Sequence, residues 1–172
     1  VDLHTLLLLL GMMIITVYLR AAGFFELMAG RILSLSRTPL QLVSLVTLSS
    51  GVLSALFVND TICLLYTPII LEVTAQLGVR PLPYLLALAT ASNIGSVMTI
   101  TGNPQNMLIG ISSGIPYRSF FTALVPVTII GLMVSIAVIG AVYRKDLHGR
   151  PFTRHPVMPA FAVNGPLLTK GL

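Results

Sequence analysis

Residues 81–117 form a run of 37 without one charged side chain, bounded by Arg80 and Arg118. A stretch that long and that poor in charge predicts a membrane crossing. Its centre, however, is not apolar. It reads Ser92-Asn93-Ile94-Gly95-Ser96-Val97-Met98-Thr99-Ile100-Thr101-Gly102-Asn103-Pro104-Gln105-Asn106, with apolar helical sequence at 85–91 and 107–111 on either side. In hydrocarbon, irregular backbone is tolerated only where protein buries it or a cavity hydrates it. Gly102 favours unwinding, and Pro104, which has no N–H, fits the first turn of a new helix. The pattern predicts a discontinuous transmembrane helix over residues 82–114.

The rest of the composition agrees with a membrane setting. Of 172 residues, 55% are hydrophobic, ten are basic and five acidic, and the mean hydropathy is +0.95. Soluble domains carry about 25% charged residues, so a soluble enzyme or a nucleic-acid binder is excluded. The single Cys63 excludes a disulfide framework. The chain opens Val1-Asp2-Leu3, with no initiator Met and no basic n-region, and enters an apolar run at once. No secretory signal is expected; an excerpt from a longer polypeptide is.

Charges mark the remaining segments. Residues 3–19 are uncharged and reach about 26 Å as a helix, close to the hydrocarbon thickness. Residues 21–37 carry Glu26, Arg31 and Arg37 among apolar positions at near-helical spacing, which predicts a helix in the interface. Asp60 interrupts the next segment: 22 uncharged residues precede it, and 11 follow before Glu72. Eleven are too few for a crossing. The expectation over residues 38–76 is therefore a re-entrant hairpin, broken near 57–60. Residues 119–143 predict an ordinary span, and 144–172 a basic, then Pro-rich, cytoplasmic linker or tail. The fold class expected is an all-α polytopic membrane protein with one membrane domain over 1–143. Charge bias sets its orientation. With a hairpin, nine of ten basic residues fall on one side, and only Arg118 on the other. A single crossing at 38–76 would instead move Arg80, Arg144 and Lys145 away from Arg20.

Two polar elements carry the chemistry. The first is Phe57-Val58-Asn59-Asp60-Thr61. A carboxylate at membrane depth is costly unless paired, hydrated or coordinated to a cation. Free N–H groups at the start of the returning arm suit an anion, while free carbonyls and Asn59 suit a cation. The alternative is that Asp60 merely N-caps that arm. The second element is the polar centre from Ser92 to Asn106, whose hydroxyls, amide oxygens and unwound carbonyls suit Na⁺. N–H groups after Pro104 suit a carboxylate or oxyanion. Its alternative is a Gly-mediated helix contact, with Ser96 and Thr90 hydrogen-bonded to neighbours. Ser49, Ser50, Gly51 and Ser54 permit close packing of the entering arm. His4 reads as interfacial, the Met residues as packing, and Arg144-Lys145 as an interfacial anchor.

At these elements the chain resembles the ion transporter superfamily, specifically its citrate-transporter-like domain. That group includes divalent anion–sodium symporters, arsenite exporters of the ArsB type and sodium/proton antiporters of the NhaD type. The resemblance rests on Val58-Asn59-Asp60-Thr61 with Thr67-Pro68-Ile69, and on Ser92-Asn93-Ile94-Gly95 with Thr101-Gly102-Asn103-Pro104-Gln105-Asn106. Dicarboxylate members have Ser-Asn-Thr at the tip and a Pro nine residues beyond the Asn. Here Asn59 and Pro68 keep that spacing, with Val58 and Asp60 replacing Ser and Thr. The resemblance implies one half of an inverted-repeat fold, each half contributing one hairpin and one broken helix. It implies a cation site framed by Ser54, Asn59, Asp60, Ser92, Asn93, Thr101 and Gly102. Substrate would face Asn59, Asp60 and Thr61, with Asn103 and Asn106 across from them. Replacing a hydroxyl by a carboxylate weakens the case for a di- or tricarboxylate and looks more like the arsenite and sodium/proton branches.

The function expected is secondary active transport of a small anion, a carboxylate or oxyanion, coupled to Na⁺ or H⁺. The alternative within the superfamily is a Na⁺/H⁺ antiporter or an arsenite exporter. No cofactor is expected beyond the coupling ion, and no transition metal. Expected partners are the lipid bilayer, a small anionic substrate, a second repeat of the parent chain and a second copy in a homodimer, but not nucleic acid. An integral, multi-pass location in the cell (inner) membrane is expected for a prokaryotic chain. An intramembrane aspartyl protease needs two deep carboxylates, and only Asp60 lies deep in an apolar run; a Ser–His pair needs a buried His, and His4, His148 and His155 lie at ends or in the tail. An enzyme is therefore not expected. A non-transporting scaffold would show no cation-dependent stabilisation.

Overall fold

A computed structural model describes residues 3–147 and 151–152; the remainder of the expected tail lies outside the described residues. Helices α1 (Leu3–Ala21) and α2 (Phe24–Ser34) are followed by α3 (Pro39–Leu56) and α4 (Asn59–Leu77). Then come α5 (Leu82–Ser96), α6 (Pro104–Ser113), α7 (Tyr117–Val142) and the short α8 (Arg144–Leu147). Among the described residues there is no strand. Helices α3, α4 and α7 are each long and apolar enough to cross a membrane. Helices α1 and α2, bent by 66° at their junction, make a fourth if taken together. The bend falls at Gly23, whose φ of 76° is one that only glycine adopts readily.

Both expected interruptions are present as breaks in helix. Thr38 caps α3 by accepting from Gln41 N at 3.2 Å, with Pro39 in the first turn. That helix ends at Leu56, where the backbone of Phe57 and Val58 turns extended, and α4 begins at Asn59. One expectation needs correcting. Although only 11 uncharged residues follow Asp60, α4 is 19 residues long and runs through Glu72 to Leu77, one residue beyond the expected end of the hairpin. Glu72 is exposed near the helix end and accepts from Gln76 Nε2, so its charge does not terminate the helix. The length argument for a hairpin therefore falls, since α4 alone can cross.

The core lies between α3, α4 and α5, with α2 against its side. Phe25, Leu42, Val43, Val46, Ile62, Tyr66, Ile70, Tyr84 and Ala87 are almost wholly buried in it. The α3–α5 seam is tightest at two glycines. A Cβ on Gly95 would stand 2.1 Å from Gly51 O, so only hydrogen fits there. This agrees with Gly51 as a close-packing residue and adds its partner. Rings of Phe24 and Phe25 pack edge-on against Phe57, at 6.4 and 5.1 Å between centroids, fixing the start of α2 to the tip of the α3–α4 pair.

Helix α7 lies along α3 and α5 in a readable register. Gly140 faces Leu40 and Leu132 covers Gly51, while Gly131 faces Ile94. Thr90 Oγ1 and Ser135 Oγ are 2.9 Å apart, the neighbour contact expected for Thr90. At the other end of α3 and α4, residues after α7 fold back on their base. Phe152 N donates to Arg37 O at 2.8 Å, Asp146 pairs with Arg80 at 3.8 Å, and Leu147 is buried in the core. Arg37, Arg80 and the basic pair Arg144-Lys145 thus share one end of the bundle. The outward faces of α1 and α7 carry exposed Leu6, Leu10, Ile14, Ile130, Met133 and Val134, too much continuous apolar surface for water.

Candidate functional site

The two helix breaks meet. Asn59 N, at the start of α4, donates to Gly102 O across the gap at 3.1 Å. Asn59 Nδ2 donates to Asn93 Oδ1 at 3.3 Å. Thr99 Oγ1 donates to Ala55 O, satisfying a carbonyl at the end of α3. One turn into α4, Cys63 Sγ sits 2.9 Å from Ser92 Oγ on α5. Four polar contacts therefore join the tip of the α3–α4 pair to the break after α5.

The break itself is held by two asparagines. Asn103 caps α6, its Oδ1 accepting from Asn106 N at 2.8 Å. Its Nδ2 reaches back to Ser96 Oγ at 3.0 Å. Asn106 Nδ2 donates to the carbonyls of Ser96, Val97 and Thr99 at 3.2, 3.1 and 2.9 Å. Ser96 and Val97 carry carbonyls that the end of α5 leaves unpaired, while Thr99 lies in the break and also accepts from Gly102 N. Both side chains thus satisfy the ends of α5 and α6 before any ligand arrives.

Between the breaks is a cavity of about 450 Å³ lined by Asn59, Asp60, Asn93, Ser96, Val97, Asn103, Pro104, Gln105 and Asn106. Five expected residues line it: Asn59, Asp60, Asn93, Asn103 and Asn106. Thr61 is half-buried at the start of α4, outside the lining. Ser54 is fully buried, with no partner for its hydroxyl among the described residues. Ser92 is committed to Cys63 and Ala89 O. Thr101 lies beside Thr99, and Gly102 contributes its carbonyl to Asn59. Sequence reasoning missed Ser96 and Gln105 as lining residues. Both lie within the polar run, but Ser96 read as packing, and nothing in the spacing singled out Gln105.

Asp60 does not cap α4. That position is Val58, which makes no side-chain cap, and Asp60 sits in the first turn. Its side chain is exposed to the cavity, with no hydrogen-bond or ion-pair partner among the described residues. No Lys or Arg lines the cavity. Nδ2 of Asn59 and of Asn93 each donates once and keeps a second N–H, while both N–H groups of the Asn103 and Asn106 amides are engaged by protein oxygens. Several backbone donors are engaged as well. Thr61 N and Ile62 N donate to Val58 O, and Asn106 N and Met107 N to Asn103. The lining thus combines the unpartnered Asp60 carboxylate with amide side chains that can both donate and accept, and with no cationic side chain. Among the described residues no cluster of three or more His, Cys, Asp or Glu is placed to hold a metal.

Three helices long and apolar enough to cross a membrane, with two helix breaks meeting at a polar cavity, place the chain in the class of polytopic membrane proteins. A citrate transporter family profile matches residues 1–164, and the chain belongs to that family. It is 38% identical over 150 residues to the silicon efflux transporter LSI3 of Oryza sativa subsp. japonica, covering 87% of this chain and 31% of that protein. It is 29% identical over 147 residues to the transporter arsB of Dictyostelium discoideum, covering 86% and 26%. An uncharacterised transporter of Mycobacterium tuberculosis is 38% identical over 141 residues, covering 81% and 32%. The chain spans about a third of the length of these curated relatives. No solved structure matches it.

Proposed function

We propose that this chain supplies one half-site of a secondary active transporter that moves a small oxyacid, coupled to Na⁺ or H⁺. The unpartnered Asp60 carboxylate, in a cavity lined by no basic side chain, carries this reading. A di- or tricarboxylate needs positive charge opposite it, and here it would meet Asp60 with no basic side chain to offset the repulsion. A weak oxyacid in its hydroxylated, uncharged form donates its O–H groups to Asp60 and Asn59 and accepts from amide side chains of the lining. Similarity to a silicon efflux transporter and to arsB supports the same class. In this reading Asp60 exchanges the coupling proton, and Ser54, with its orphaned hydroxyl beside the tip, is the candidate additional ligand for Na⁺.

The packing register supports a re-entrant α3–α4 pair. Both its ends share the basic end of the bundle, and its tip lies near the level of Thr128 on α7, by extension from Leu132 over Gly51. Helix α7 continues for another 11 residues, about 16 Å, to Tyr117. The tip then stops within the span that α7 completes, and α5 with α6 forms the discontinuous span beside it. Because four polar contacts and the glycine seam join tip to break, the two move as one body when access alternates. The basic end lies in the cytoplasm by the charge rule, and a second, inverted unit of the parent protein completes the site.

Reconstituting this chain together with the second unit that completes the site, in sealed vesicles, tests the substrate class. Under an imposed pH or Na⁺ gradient, silicic or arsenous acid should move and citrate should not. Citrate transport with neither oxyacid moving would overturn the assignment. A Na⁺/H⁺ antiporter is the second reading, favoured by Asp60 as the only ionisable side chain in the cavity lining. It predicts Na⁺ flux against a proton gradient with no oxyacid present.

A further inference from the structure

At the basic end, outside the transport cavity, a second recess of about 410 Å³ is lined by Leu35, Arg37, Gln41, Ser44 and Leu45. It lies where the α2–α3 connection meets the outer side of α3. One wall is polar. Arg37 is exposed, and its guanidinium has no acidic partner among the described residues. The nearby acids are already engaged, Asp146 with Arg80 and Glu72 with Gln76. Gln41 Oε1 accepts from Arg37 N at 3.0 Å, which leaves its Nε2 protons for a ligand. Ser44 donates to Leu40 O, so the donors on offer are those of Arg37 and Gln41. The other wall is apolar, and Leu35 is 69% exposed beside Arg37.

From this pairing we infer that the recess binds the headgroup of an anionic phospholipid. The phosphate sits on Arg37 and Gln41, and the start of an acyl chain lies over Leu35 and Leu45. Guanidinium matches phosphate oxygens in a bidentate fork. A leaflet facing clustered basic residues concentrates anionic lipid there. A free phosphate would use the polar wall only and leave Leu35 in water. The bound lipid joins the end of α2 to the base of α3, so it braces the end of the α3–α4 pair opposite its tip.

The test uses the full chain in nanodiscs of phosphatidylcholine, with or without phosphatidylglycerol, reading retained lipid by native mass spectrometry and the thermal midpoint. Phosphatidylglycerol should be retained and should raise the midpoint. R37Q should cut retention about fivefold, the effect of one basic contact near an anionic surface, while R37K keeps most of it. S44L, which fills the recess without changing charge, should also lose the lipid. R31Q, an equal charge change one turn before the end of α2, should not. Equal losses for R31Q and R37Q would reduce the effect to bulk charge and overturn the site. A midpoint raised equally by inorganic phosphate in phosphatidylcholine discs would overturn the lipid as its occupant.

Discussion

The α3–α5 seam and the outer face of α7 are both built from small and apolar residues, yet they answer to different partners. At the seam, backbone meets backbone at Gly51 and Gly95, and Asn and Thr side chains bond across the nearby breaks. On α7, Ile130, Met133 and Val134 point outward, with more than half of each side chain exposed. Hydrophobicity therefore does not locate the working part of this protein. Close approach and spent hydrogen bonds do, because in lipid an unpaired backbone group costs more than an exposed Leu.

Substitutions that should break the contrast begin at the seam. G95A places a methyl 2.1 Å from Gly51 O, where the obstacle is backbone and cannot swing aside. We expect a loss of about 3 kcal/mol or more, seen as failure to accumulate or as a much lowered thermal midpoint of the full chain. G140A, whose added Cβ meets Leu40 at an ordinary 3.6 Å, should change stability by less than about 0.5 kcal/mol. Comparable losses for both would show that the seam is no tighter than the periphery. Next in size is N106L, which strips the donor from three carbonyls at the break. About 2 kcal/mol should be lost, and N106D should not restore it because a carboxylate offers no donor. A double-mutant cycle on Thr90 and Ser135 should give a smaller coupling, about 0.6 kcal/mol. M133A, on the lipid-facing surface, should be nearly silent in detergent.

The same contrast explains what could be read from the sequence. Breaks at 57–58 and 97–103 were legible because Asn, Asp, Gly and Pro in an apolar run have no other economical place. Span α7 was legible from its 25 uncharged residues. That α4 alone is long enough to cross was not, because Glu72 looks like a boundary in one dimension but lies on an exposed face in three. Capping by Asn103 and Asn106 was hidden for another reason. An amide that bonds backbone seven to ten residues away carries the same letter as one that faces a ligand. The Gly51–Gly95 contact, Cys63 with Ser92, and Phe57 against α2 all join residues distant in the chain, and no spacing rule reports them.

What marks the cavity is a carboxylate that is exposed to it and left without a partner among the described residues. Capping residues are satisfied; Asp60 is not, and the proposed coupling role falls to it for that reason. The direct measurement is gradient-driven oxyacid flux by the chain carrying D60N together with the unit that completes its site, reconstituted in sealed vesicles beside D60E and the unsubstituted protein. D60N should keep its thermal midpoint, since Asp60 makes no contact that folding needs, yet lose coupled flux, with D60E retaining part of it. Undiminished coupled flux in D60N would contradict the account.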